Sequence, residues 1–218
     1  TTGNYNVAIG DSALGAATTA SNNTAVGSAA ATLTTTGANN TSVGFEALRV
    51  NTTGAQNTAL GALALDANTT AGNNTAVGYS TLTANTTGTF NTAMGSFALL
   101  SNNTAVGFNV LTANTTGTNN VAVGSLSGDA LTVGSTNVAV GTSALTTDTQ
   151  GSRAVAIGEG ALATQNFTSA TNNYNVGVGY SAGGAITTGT QNTFIGGLSG
   201  DATTTASNNV AVGYASLS

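Results

Sequence analysis

Seven carboxylates are the only acidic side chains in this chain of 218 residues: Asp11, Glu46, Asp66, Asp129, Asp148, Glu159 and Asp201. Carboxylate pairs catalyse glycoside hydrolysis when two sit within about 5 to 10 Å of each other. Here they are scattered along the chain, and no base stands ready to partner them. There is no His, Cys or Lys, and the two cations are Arg49 and Arg153. The commonest general base and metal ligand is therefore absent, together with thiolate nucleophiles, Cys-type zinc sites and disulfides. The stretch "GVGYSAG" (177–183) has the look of a phosphate-cradling loop, yet no βαβ pattern surrounds it. "LSGDA" occurs twice, placing Asp129 and Asp201 beside Gly128 and Gly200. One carboxylate per copy is thin beside the roughly 6 to 8 oxygens that calcium takes, so a tightened turn is the expectation. No catalytic residue, metal site or cofactor is expected, and the chain is not read as an enzyme.

Composition narrows the partners. Charged residues make up 4% of the chain, against about 25% in ordinary soluble domains. Nucleic acid is excluded as a partner because phosphate neutralisation needs clustered Lys and Arg. No apolar run approaches the roughly 18 residues of a membrane span, so no membrane insertion is expected in this segment. Sequons at Asn22, Asn51, Asn85 and Asn114 could accept glycans in a suitable secretory system. Aromatic residues at 45, 79, 108, 180 and 214 could form a receptor or glycan platform, although packing against a neighbouring strand or chain is the simpler use. Because the chain starts at Thr1 rather than Met, it is read as a piece of something longer.

Elements that would position these residues repeat. Thirteen glycines fall in register (Gly10, Gly27, Gly44, Gly61, Gly78, Gly95, Gly107, Gly124, Gly141, Gly158, Gly179, Gly196 and Gly213), and ten of the twelve intervals are 17 residues. The others are 12 residues before Gly107 and 21 before Gly179. A fixed short period predicts a solenoid, here one repetitive domain over residues 1–218 with about thirteen coils. At a strand spacing of about 4.8 Å its length would be about 60 Å. Positions are numbered below from the register glycine of each coil.

The −1 column is aliphatic or Met and includes Val26, Val43, Val77, Val106, Val123, Val140 and Ile157; the −3 column is Val or Thr. Side chains alternate along a strand, so these two columns share one face. Their hydrophobicity predicts that this face is the core. The −2 column, including Ala25, Ala59, Ala76, Ala93, Ala105 and Ala122, must point the other way, and its small apolar stripe is expected to pack against another chain. The −4 column is Asn in twelve of thirteen coils, among them Asn23, Asn40, Asn57, Asn74, Asn91, Asn103 and Asn120, and is expected to form a stacked amide ladder. Leu at +4 in nine coils is expected to close the core from a second short strand. The following loop, which absorbs both length changes and carries glycine at a fixed offset (Gly37, Gly54, Gly88, Gly117, Gly134, Gly151, Gly189), reads as an outer rim with a positive-φ turn. Thr, Asn and Gly are poor helix formers, and the absence of Pro suits strands paired on both sides.

The coil motif written "NYNVAIG", "NNVAVG", "STNVAVG" and "SRAVAIG" resembles the head repeats of YadA-like trimeric autotransporter adhesins. Similar N-T-A-V-G repeats occur in phage tail fibres and tail-fibre-like surface proteins. The resemblance covers all 218 residues. It implies a left-handed parallel β-roll, a side-by-side homotrimer, an extracellular place on a cell or virion surface, and attachment to a surface receptor or glycan. The mostly 17-residue period is longer than the usual adhesin-head coil, and no stalk heptads follow. The expected function is a non-enzymatic structural and adhesive fibre segment, with end-to-end stacking into a filament. The alternative is an ice-binding β-solenoid, because Thr ladders can order water. Against it stands the placement of those Thr residues on the face read as buried.

Overall fold

The computed structural model describes residues 2–98 and 103–218. It is all-β and built from parallel strands, in two compact units, Thr1–Asn102 and Asn103–Ser218. The first unit holds β1 (Val7–Ile9), β2 (Thr24–Val26), β3 (Thr41–Val43), β4 (Thr58–Leu60), β5 (Thr75–Val77) and β6 (Thr92–Met94). The second holds β7 (Thr104–Val106), β8 (Val121–Val123), β9 (Val138–Val140), β10 (Gly151–Ser152), β11 (Val155–Ile157), β12 (Thr171–Asn172), β13 (Val176–Val178), β14 (Thr193–Ile195) and β15 (Val210–Val212). Within each unit the three-residue strands pair in chain order, and every column meets its own copy: Thr24 faces Thr41, and Val121 faces Val138. Each unit is thus a parallel β-solenoid, with a total of about twelve turns at the 17-residue period. The short pair β10–β12 accommodates the 21-residue coil.

Three-residue strands suffice because the ladder continues past them. Gly27 N–H donates to the Ile9 carbonyl (2.7 Å) and Ala29 N–H to the Asp11 carbonyl (2.8 Å), both in the preceding coil, while Leu14 N–H donates to the Ala30 carbonyl of the next (3.0 Å). Between these bonds the chain turns on left-handed residues at −5, +2 and +4, as at Asn39 (φ 58°), Glu46 (φ 53°) and Leu48 (φ 56°). Such a conformation costs an L-residue about 1 to 2 kcal/mol, and the stack offsets it by tying one coil to the next. The register glycine has a different necessity. Gly44 sits at φ 138°, and a Cβ there would lie 2.5 Å from the carbonyl carbon of Gly61 in the next coil.

The strand face is inverted relative to the expectation. Ala25, Ala59, Ala76, Ala93, Ala105 and Ala122 are at most 1% exposed and point into the coil. Val26, Val43, Val77, Val106, Val123 and Val140 are half-buried, and Ile157 is exposed. The Ala column is therefore the core and cannot serve as an interface, whereas the aliphatic column lies outside. Volume decides this. A coil of 17 residues encloses one narrow layer that must hold Ala at −2 and Leu at +4 together, and Ala76 and Leu82 are both wholly buried. Two β-branched columns per coil would overfill it. The Leu column does close the core, with Leu48, Leu65, Leu82, Leu111, Leu145 and Leu162 inaccessible, although its backbone is a left-handed turn and not a second strand. Leu99, Leu100 and Ser101, where the short coil loses its loop, lie outside the described residues.

The loop is not an outer rim throughout. Gly37, Gly54, Gly117, Gly134, Gly151 and Gly189 are buried and have ordinary φ. Glycine is needed there for close approach: a Cβ on Gly37 would strike the carbonyl oxygen of Gly54, its own copy one coil on.

Candidate functional surfaces

The −4 asparagines form the expected ladder, by a route richer than amide-to-amide stacking. Each buried Oδ1 accepts the backbone N–H of the next Asn, with Asn40 N to Asn23 Oδ1 at 2.9 Å, Asn57 N to Asn40 Oδ1 at 2.9 Å and Asn120 N to Asn103 Oδ1 at 2.7 Å. In most coils Nδ2 donates across its own coil to the +10 carbonyl, as from Asn23 to Gly37 (2.9 Å), Asn40 to Gly54 (2.9 Å) and Asn120 to Gly134 (2.9 Å). One side chain thus closes its coil and fixes the register of the next. Direct amide bonds supplement this, as from Asn74 to Asn57 (3.2 Å) and Asn91 to Asn74 (2.9 Å).

A second buried ladder at +7 escaped sequence reasoning. Asn68 Nδ2 donates to Asn51 Oδ1 (2.9 Å) and Asn85 Nδ2 to Asn68 Oδ1 (3.1 Å). Its sequence signal was the fixed Asn of "TANTTG", which reads as loop composition. Asn51, Asn85 and Asn114 are at most 4% exposed, so these sequons are closed to a modifying enzyme in the folded chain, whereas Asn22 is exposed.

In one coil the +7 position is Asp148. Its carboxylate is wholly buried and accepts three bonds, from Gly151 N (2.9 Å) and Phe167 N (3.1 Å) to Oδ1, and from Gln165 Nε2 to Oδ2 (2.6 Å). Gln165 Oε1 in turn accepts from Asn175 Nδ2 (2.8 Å). The directional chain Asn175 to Gln165 to Asp148 bridges the place where Ala154 interrupts the −4 ladder and the long coil begins. Burial pushes the Asp148 carboxyl above its usual range, against the pull of its three donors. Asp66 is also raised by burial, opposed by the Arg49 guanidinium.

A carboxyl whose folded pKa is raised binds protons more tightly when folded, so its contribution to stability is complete below the ordinary carboxylate value and is lost as pH rises through the folded one. Stability should therefore increase as pH falls from 7 toward 4. Scanning calorimetry should show the midpoint rising over that interval, with a smaller rise in Asp148→Asn; a midpoint that falls on acidification would contradict this.

The remaining sequence candidates do not converge. Asp129 Oδ1 accepts the Thr146 hydroxyl (2.6 Å), and among the described residues no three of Asp and Glu come together in a metal-binding cluster. Gly179 of "GVGYSAG" is a register glycine, and Gly183 takes the left-handed +4 place (φ 61°). Gly128 and Gly200 of the two "LSGDA" copies take the same place, so the turn is the ordinary one, relieved of its Leu.

Aromatic residues at +1 are exposed and obey a rule across coils. Phe45, Tyr79, Phe108 and Tyr180 each precede a large apolar residue at +2 of the next coil: Leu63, Phe97, Leu126 and Leu198. Tyr79 and Phe97 meet edge to face with centroids 5.5 Å apart.

The strand face carries the outward aliphatic columns. On β8, β9, β11 and β13 of the second unit its −3 and −1 columns are both aliphatic: Val121 and Val123, Val138 and Val140, Val155 and Ile157, Val176 and Val178. In the first unit the −3 column is Thr from β2 to β6. The described residues form no helix long and apolar enough to cross a membrane. Comparison of the chain with protein-family models, with curated proteins and with solved structures finds no match.

Proposed function

We propose that this chain is a non-enzymatic structural and adhesive fibre segment whose copies lie side by side as a homotrimer, joined through the outward strand face. The observation that carries this is the doubly aliphatic, in-register stripe on β8, β9, β11 and β13. A chain with so few charges leaves such a stripe in water only at a cost, because burying apolar surface stabilises by about 25 cal/mol per Å². The proposed interface is confined to the Val and Ile columns of β8, β9, β11 and β13 and excludes the buried Ala column. The resemblance of the coil motif to autotransporter heads and tail-fibre repeats supports a left-handed roll, an extracellular location and a surface receptor or glycan as target.

End-to-end growth belongs to the same proposal. At the first coil a cavity of about 270 Å³ is lined by Ala8, Ala13, Leu14, Ala17 and Ala20, whereas their counterparts Ala25, Ala30 and Ala31 in the next coil are buried. A coil stacked on it from another copy would fill it. Sedimentation velocity on the purified chain should give a trimer, and electron microscopy should show rods that lengthen with concentration. Monomers at every concentration would remove the fibre reading.

A further inference from the structure

The strand-face Thr rank of the first unit differs from the neighbouring loop rank at +8. At +8, the hydroxyls of Thr18, Thr35, Thr52 and Thr69 each donate to a backbone carbonyl of the next coil, at 2.9, 3.0, 3.0 and 3.3 Å. At −3, the side-chain hydroxyls of Thr24, Thr41, Thr58, Thr75 and Thr92 stand outward, and among the described residues none makes a hydrogen bond within the chain. The chain thus satisfies the +8 rank internally and leaves to its surroundings the −3 rank and the exposed +9 loop rank of Thr19, Thr36, Thr53 and Thr70, of which only the −3 rank lies on paired strands.

We propose that this face of the first unit, Thr24, Thr41, Thr58, Thr75 and Thr92 with the neighbouring Val26, Val43, Leu60, Val77 and Met94, binds the surface of ice through an ordered layer of water. Register supplies the repeat. Each Thr is the direct strand partner of the next, so the hydroxyls recur once per coil without slippage, at a strand spacing of about 4.8 Å. That repeat is close to the spacing of oxygens along a lattice direction of hexagonal ice. β-Branching supplies orientation, because Thr has few χ1 states and the same backbone surrounds it in each coil. The hydroxyls are therefore arrayed before any ligand arrives, which removes the ordering cost that weakens flexible polar surfaces.

The surroundings suit water held as a lattice better than a charged or macromolecular partner. Asp11, Glu46, Arg49 and Asp66, the charged residues of this unit, occupy positions +1, +2 and +5, so none interrupts the strand face with a strongly held liquid-like hydration shell. Methyl groups of Thr and the aliphatic −1 column lie between the hydroxyls, giving a surface that anchors water at points and repels it between them. The second unit has no continuous Thr rank at −3: Thr104 in β7 and Thr193 in β14 stand apart, with Val on β8, β9, β11 and β13 between them. The expectation that these Thr residues face the core is what weighed against ice binding, and burial overturns it.

This proposal stands independently of the fibre reading, and one set of samples separates them. The full 218-residue chain is frozen slowly onto a cold finger beside a bystander protein, and thermal hysteresis is measured in parallel. The wild type should be enriched in the ice several-fold over the bystander and should show a hysteresis gap. Thr58→Tyr/Thr75→Tyr, which changes only outward side chains, should be excluded from ice like the bystander while keeping the wild-type circular dichroism. Thr53→Tyr/Thr70→Tyr, on the exposed +9 loop rank away from the strand face, should behave as wild type. Exclusion of the wild type from ice, or undiminished uptake of the double variant, would overturn the proposal. Sedimentation of the same samples reports on the fibre: a monomer that enters ice retires the trimer alone, and a trimer that is excluded retires the ice face alone.

Discussion

Ala122→Asp should abolish folding of the solenoid around β8, while Val123→Asp, one residue along, should leave it folded. Ala122 is 1% exposed and strand-paired to Ala105 and Ala139. A carboxylate there has no cation to meet, since the two Arg of the chain are at positions 49 and 153, on other columns. Burying an unpaired charge costs several kcal/mol, a large part of the stability of a typical domain. In a solenoid the loss spreads, because each coil is held by its neighbours. Val123 points outward and is half-buried, and substitutions at such places change stability by about 1 kcal/mol or less. Under the fibre reading its effect appears elsewhere: like charges would converge where copies meet, and the trimer should dissociate. Circular dichroism and sedimentation together check both halves. Loss of β-structure in Val123→Asp with retention in Ala122→Asp would reverse the assignment of the two faces.

That contrast marks how far the sequence could be read. The period, the parallel register, the −4 Asn ladder and the Leu core are all legible, because each is a residue type recurring at a fixed offset. The direction of the strand face is not. Alternation groups −3 with −1 and opposes both to −2, but it is silent on which group is inside. Ranking Val above Ala by hydrophobicity favours the wrong answer. What decides is the width of a 17-residue coil, a volume that no single column reveals. The same limit hid the +7 ladder, since an Asn followed by Thr-Thr-Gly reads as a turn until Asn51 and Asn68 are found stacked and buried. It also misassigned Gly37 and Gly54, whose glycine answers to a carbonyl one coil away and not to their own φ.

Volume also makes the second large prediction. Phe194 occupies the −2 place that belongs to Ala in most coils, and it is the largest fully buried side chain of the described residues. It fits because both flanking +4 places have lost their Leu. A Cβ on Gly183 would lie 2.7 Å from Phe194 Cδ2, and one on Gly200 would lie 2.5 Å from Cδ1 and Cε1. Phe194→Ala should therefore open a cavity and destabilise by about 3 to 5 kcal/mol. Gly200→Leu alone should also destabilise, by about 3 kcal/mol or somewhat less, because the new side chain collides with the ring. Its backbone is not the obstacle: Gly200 has φ 67°, and Leu82 and Leu145 hold the same place at φ 55°. Joined in one chain, the two changes recreate the Ala and Leu pairing of the other coils, leaving only the smaller gap beside Gly183. The double variant should accordingly be more stable than Phe194→Ala, with a favourable coupling of about 2 to 3 kcal/mol. Urea unfolding of the four proteins yields that coupling directly. Simple addition of the two losses would mean that Phe194 and the glycines occupy separate spaces, and that the core is not filled one coil at a time.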